Sequence, residues 1–125
     1  MPGPVYSVAL CADAVCALCL TAQLNTLLAV WKENNLAVYP LPGMPGGLFA
    51  AGNCLYIATA GNLYMHSLAT GTMMLRRSAP GRASRMIAAQ AQLILYDPLS
   101  ECVFSSACNG SWQRILCGVK DICLP

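Results

Sequence analysis

The sequence predicts an all-β chain built from small antiparallel sheets in series, and three observations lead there. An apolar run, a short polar or small break and a second apolar run recur at Leu27–Leu41, Cys54–Leu68 and Ser84–Pro98. Two of the breaks, Glu33-Asn34-Asn35 and Ala60-Gly61-Asn62, supply residues that tolerate the positive φ of tight hairpin turns, while Gln90-Ala91-Gln92 is poorer turn chemistry. The copies start 27 and 30 residues apart (54 − 27 and 84 − 54). Four strands of about five residues with turns of about two need roughly 28 residues. Each copy therefore has room for one four-stranded sheet.

From the N-terminus, Gly3-Pro4 is a breaker pair, and Val5–Leu10 alternates loosely, as a strand entered from a turn does. A helix is the other reading, because Val8, Cys11, Ala12, Val15 and Cys19 fall at three- and four-residue steps. The Val, Tyr and Cys content favours the strand. Val15–Thr21 is a continuous apolar run of strand length, expected as the innermost strand of the first sheet, and Ala22–Thr26 turns into the first hairpin. Pro40, Pro42, Gly43, Pro45, Gly46 and Gly47 make the stretch from Pro40 to Gly47 an expected loop, which leaves that sheet without its outer strand. Leu48–Ala51 is a short strand closed by Gly52-Asn53. Gly71 favours a tight turn into Met73–Leu75, and Arg76–Arg82 is expected to be the next exposed loop. Asp97–Glu101 turns the chain into Cys102–Phe104, and Asn109-Gly110 is a hairpin signal before Trp112–Leu116. The expected organisation is a single domain, 1–125, with blades at 5–46, 47–77 and 78–106 and partial strands over 110–125.

A chain of 125 residues buries a core without metal or disulfide staples. Hydrophobic residues make up 57% and charged ones 10%, outside the usual balance for a domain with all its surface in water. Either much of the chain is expected to lie buried against something else, or it aggregates alone. The net charge of +2 comes from scattered Lys and Arg and provides no basic face for nucleic acid. The one cluster, Arg76, Arg77, Arg82 and Arg85, reads as a solvated loop. Val5–Leu20 is interrupted by Asp13 and falls short of the roughly twenty apolar residues of a membrane span. With no Lys or Arg before it, the same stretch makes a poor signal peptide. An intracellular protein, cytoplasmic or nuclear, is expected, its eight cysteines (11, 16, 19, 54, 102, 108, 117 and 123) reduced and acting mostly as small buried hydrophobes. A secreted chain would instead turn the even count into a disulfide framework and Asn109-Gly110-Ser111 into a glycosylation sequon.

Small antiparallel sheets in series are blades. Gly3–Leu10 then reads as an innermost strand, and Leu27–Val30 with Asn35–Tyr39 as second and third strands. Gln92–Asp97 ends on Tyr96-Asp97, where a Trp-Asp pair would stand, with Tyr39-Pro40 and His66-Ser67 in the same column of the other copies. On these residues the chain resembles the WD-repeat class of β-propeller, and Asn62–Arg76 resembles the blades of quinoprotein-type propellers. It departs from the WD pattern in having no Gly-His pair, so the tetrad of a well-formed repeat cannot be assembled, and in a spacing below the family's roughly 40 to 45 residues. The resemblance implies a partial propeller of about three blades, against four to eight in closed rings. Its end faces would be apolar and exposed. It also implies a non-catalytic protein–protein interaction scaffold, a fragment or short isoform completed by other blades or a partner subunit.

No catalytic motif, phosphate-binding glycine loop or dinucleotide fingerprint occurs, and no catalytic, cofactor or metal site is expected. Cys16-Ala17-Leu18-Cys19 has the spacing of half a zinc site or of a redox pair, the alternative function. No second pair and no nearby His accompany it, and no cation sits beside it to lower a thiol pKa. His66, the only histidine, is expected on a strand facing a neighbouring blade. Trp31, Tyr39, Met44, Arg76, Arg77 and Arg82 are the candidate contacts to other proteins; for Trp31 core packing is the first reading and a partner-binding aromatic anchor the alternative.

Overall fold

A computed structural model describes residues 4–81, 85–89, 92–107, 111–118 and 120. Twelve strands and no helix are found among them. β1 (Val5–Cys11), β2 (Ala14–Leu20), β3 (Thr26–Lys32) and β4 (Asn35–Leu41) form the first sheet. The second holds β5 (Pro45–Ala51), β6 (Cys54–Thr59), β7 (Asn62–Ser67) and β8 (Thr72–Ser78). The third holds β9 (Arg85–Ala89), β10 (Gln92–Asp97), β11 (Cys102–Ala107) and β12 (Gln113–Leu116). Each is an antiparallel meander in chain order, and Val5–Leu20 is a strand pair rather than a helix.

The repeat is real, but its period differs from the expected 27 to 30. β1, β5 and β9 start at 5, 45 and 85, a spacing of 40 residues. The pairing irregularity between Val5 and Ser7 returns between Pro45 and Gly47, and the positive φ of Ala12 (51°) returns at Gly52 (60°). The three hairpins that look alike in sequence are β3–β4, β6–β7 and β9–β10. Each copy slipped by one strand, because the hairpins that match in sequence fall at a different junction in each sheet. The column of Tyr39-Pro40, His66-Ser67 and Tyr96-Asp97 accordingly dissolves, since these pairs stand towards the ends of a fourth, a third and a second strand. Glu33 and Asn34 both have positive φ (52° and 63°), as a two-residue primed turn requires.

Two expected loops are strand. Val15–Thr21 is not innermost, and the outer strand of the first sheet is present as β4. Pro40 lies within β4 and Pro45 opens β5. Proline lacks a ladder donor, and an edge strand or a strand's first residue is where that lack is tolerated. The loop shrinks to residues 42–44. Arg76 and Arg77 likewise belong to β8, and Arg82 lies outside the described residues, as do Gly3 and the Asn109-Gly110 turn.

Alternation along each strand sends its two sets of side chains to opposite faces. One buried cluster joins the first two sheets and includes Cys16, Leu18, Leu28, Leu48, Leu55 and Ile57. A second joins the last two through Ala58, Leu63, Met86, Leu93 and Leu95. β1 packs beside β5 and β5 beside β9, so the sheets stack in order along their first strands. Ala12 holds a left-handed conformation that its repeat equivalent fills with glycine, and Cβ makes that conformation unfavourable. Ala12→Gly is therefore expected to raise stability by about 0.5–1 kcal/mol, read as a higher urea midpoint.

Candidate functional site

The side of the first sheet turned away from the second is apolar and bare. Across the four strands, Leu10, Val15, Trp31 and Leu36 stand opposite one another in one row. Val8, Ala17, Ala29 and Val38 make the next. Trp31 is 47% exposed and Leu10 71%. Neither row holds a polar side chain, and a contiguous apolar patch of this kind marks a site of association.

Among the described residues, Trp31 is the only candidate contact on this face. Tyr39 points to the other side, where its hydroxyl donates to the Gly71 carbonyl at 3.3 Å and its ring lies 4.7 Å from that of His66. Arg77 Nη2 donates to Ser106 Oγ at 2.9 Å, and its guanidinium sits 4.8 Å from the Trp112 ring. Both residues tie sheets together within the chain, because strand positions facing a neighbouring sheet are occupied by that sheet. Met44 is half-buried, and its carbonyl accepts from Ala60 N at 2.9 Å. Arg76 contributes its backbone to β8. Sequence reading missed the partners of Trp31, since Val8, Val15 and Val38 share its face only through the cross-strand register.

The cysteine pair is divided between the two faces of β2. Three residues apart on a strand, Cys16 and Cys19 project to opposite faces. Burial, then the neighbouring Cys11, push the Cys16 thiol up to about 11, and burial also raises Cys19, so neither is held as thiolate. No group of three metal-binding side chains occurs among the described residues. A cleft of about 340 Å³ beside the 21–25 and 42–44 loops is lined by Thr21, Asn25, Thr26, Pro40 and Pro42 among others, none of them titratable.

Two further elements shape the module. Cys102 and Cys117 form a disulfide with Cα atoms 4.1 Å apart, which corrects the expectation that all eight thiols are free. Cys117 follows directly on the pairing of Val103 with Leu116, so the bond ties β11 to the end of β12. His66 is buried between the first and second sheets with no hydrogen-bond partner at Nδ1. Desolvation lowers its pKa, against a smaller opposing effect from a hydrogen bond with the Thr72 backbone. As pH falls below the ordinary histidine value of 6.5, the unfolded chain takes up this proton before the folded one does, so stability falls. His66→Gln is expected to remove that part of the acid-side loss, measured as the difference between the two proteins' urea midpoints at pH 7.5 and pH 5.5.

The stack is similar to solved propeller-like structures. It matches the computationally designed Ika8 protein with a TM-score of 0.65 at 10% identity, over 90% of this chain and 35% of that one. The designed Ika4 protein gives 0.58 at 12% identity, over 93% and 92%. Apo AztD from Citrobacter koseri gives 0.56 at 12%, over 94% and 48%. The chain thus spans about a third of Ika8 and half of AztD. No family model and no curated protein matches the sequence. Identities this low bear on the fold alone, which is all-β and propeller-like, with three sheets and no closed ring among the described residues. No helix is long and apolar enough to cross a membrane among the described residues.

Proposed function

We propose that the chain is a non-catalytic protein–protein interaction module of β-propeller type, a degenerate relative of the WD-repeat scaffolds, that works through the bare face of its first sheet. The observation that carries this reading is the pair of wholly apolar cross-strand rows around Trp31. Equivalent faces of the second and third sheets are buried under a neighbouring sheet. The 40-residue period, inside the roughly 40 to 45 residues of WD repeats, supports the class. The location is proposed to be intracellular; the Cys102–Cys117 bond favours a second reading, an oxidising compartment, because such bonds persist there.

Photo-crosslinking tests the surface. A photoreactive phenylalanine analogue in place of Trp31 is expected to give adducts with protein in cells. The same analogue in place of Leu99, exposed in the turn after β10, is expected to give none. Equal yields at the two positions, or no protein adduct at 31, would contradict the reading.

A further inference from the structure

The outer strand of the third sheet is held at its two ends rather than along its length. β12 has a neighbour on one side, β11, and none on the other among the described residues. Its four residues are all exposed, and its pairing with β11 is broken by an irregularity between Val103 and Phe104. A short edge pairing that buries so little opens locally at small cost. The start is anchored by Trp112, whose indole N–H donates to the Ser78 carbonyl of β8 at 2.7 Å. Its ring lies 4.8 Å from the Arg77 guanidinium and packs against the cluster between the second and third sheets. The far end is fixed by the Cys102–Cys117 bond. Beyond it, the Tyr96 hydroxyl donates to the Lys120 carbonyl at 2.8 Å, and Lys120 Nζ pairs with Glu101 at 2.8 Å. The Lys120 side chain is 85% exposed, so solvent screens that ion pair and it holds little. The two sulfurs differ in access: Cys102 is buried, while Cys117 stands exposed.

We infer that the Cys102–Cys117 bond is a redox latch, opened at Cys117 by a dithiol reductant, and that opening it frees β12 to leave β11 while Trp112 stays anchored. Exchange requires a thiolate that reaches one sulfur of the bond, and Cys117 is the sulfur that solvent reaches. A reductant thiolate attacks Cys117 Sγ, the sulfur–sulfur bond breaks, and Cys102 leaves as thiolate and takes up a proton. The reductant's second thiol, also as thiolate, then attacks its own sulfur in the mixed disulfide. Cys117 leaves and is protonated, and the reductant closes into its own disulfide. Two electrons and two protons pass to the chain. The free thiols among the described residues stand elsewhere: Cys11, Cys16 and Cys19 are buried in the first sheet, and Cys54 opens β6 beside Cys11. With the latch closed the outer edge of the third sheet is β12; with it open the edge is β11, whose outward backbone groups are unpaired and able to accept another strand. An oxidising compartment keeps the latch closed and a reducing one opens it.

Amide hydrogen exchange on the full chain at neutral pH, with and without dithiothreitol, tests the latch, and alkylation with mass mapping reports the state of each cysteine. In the oxidised chain the amides of β12 are expected to exchange about tenfold or more slowly than in a free peptide of the same sequence. With dithiothreitol, Cys102 and Cys117 are expected to become alkylated under native conditions and the β12 amides to exchange at the peptide rate, while those of β6 and β7 stay protected. Cys117→Ser is expected to show the reduced pattern with or without dithiothreitol, its protected β6 and β7 proving that it is folded. Four results overturn the latch: a bond that dithiothreitol reduces only in denaturant, Cys117 mapped to a partner other than Cys102, β12 protection that survives reduction or Cys117→Ser, and loss of protection from β6 and β7 together with β12.

Discussion

Leu55→Ala is expected to destabilise the chain by about 3 kcal/mol, within the range of roughly 2–5 kcal/mol for buried leucine truncations. Leu55 has no exposed surface and sits where the second sheet meets the first, in one cluster with Leu18 and Leu28. Truncation loses the transfer free energy of the removed methyls and leaves a cavity that two stiff sheets cannot close. The repeat supplies the control. Val15 occupies the same position one sheet earlier but is 47% exposed, so Val15→Ala in dilute solution is expected to cost less than about 1 kcal/mol. Guanidinium denaturation of the two variants, compared at equal slope, measures both. Equal losses would mean that the first sheet has no bare side.

Cys117→Ser is expected to cost about 3 kcal/mol, the chain-entropy value for a loop of 15 residues, which is the separation of Cys102 and Cys117. β12 is short and exposed along its whole length, so the crosslink does for it what burial does for the inner strands. Reduction of the native protein is expected to lower the denaturation midpoint by the same amount as the substitution and to leave the variant unaffected. A midpoint indifferent to reductant would contradict the bond.

The all-β class and the tight turns were legible because they rest on local chemistry. Glu33-Asn34 and Ala60-Gly61 announce turns whatever surrounds them, and short apolar runs bounded by such turns read as strands. The placement of His66 against a neighbouring blade was legible for the same reason. The period was not. In a meander every consecutive strand pair is a hairpin, and nothing local separates a β3–β4 hairpin from a β6–β7 one, so the copies aligned by their turns and lost one strand at each step. The marks that carry the true period, the irregularity at Val5/Ser7 and Pro45/Gly47 and the left-handed pair Ala12 and Gly52, are backbone features without a sequence signature. Pro40 and Pro45 misled for a related reason: proline reads as a breaker until the strand carrying it is known to be an edge or a beginning. Of the candidate contacts, Trp31 lies exposed on the bare face. The internal contacts of Tyr39 and Arg77 were not legible, because their partners, Gly71 and Ser106, are 32 and 29 residues away.

The central claim is the order of the stack: three four-stranded blades, each covering one side of the next, with the first left open. Methyl–methyl nuclear Overhauser effects in solution test it most directly. Contacts are expected between the Leu18 and Leu28 methyls and those of Leu55 and Ile57, and separately between Leu63 and the Leu93 and Leu95 methyls. Direct contact of Leu18 with Leu95, or the absence of any contact between Leu55 and the first sheet, would contradict it.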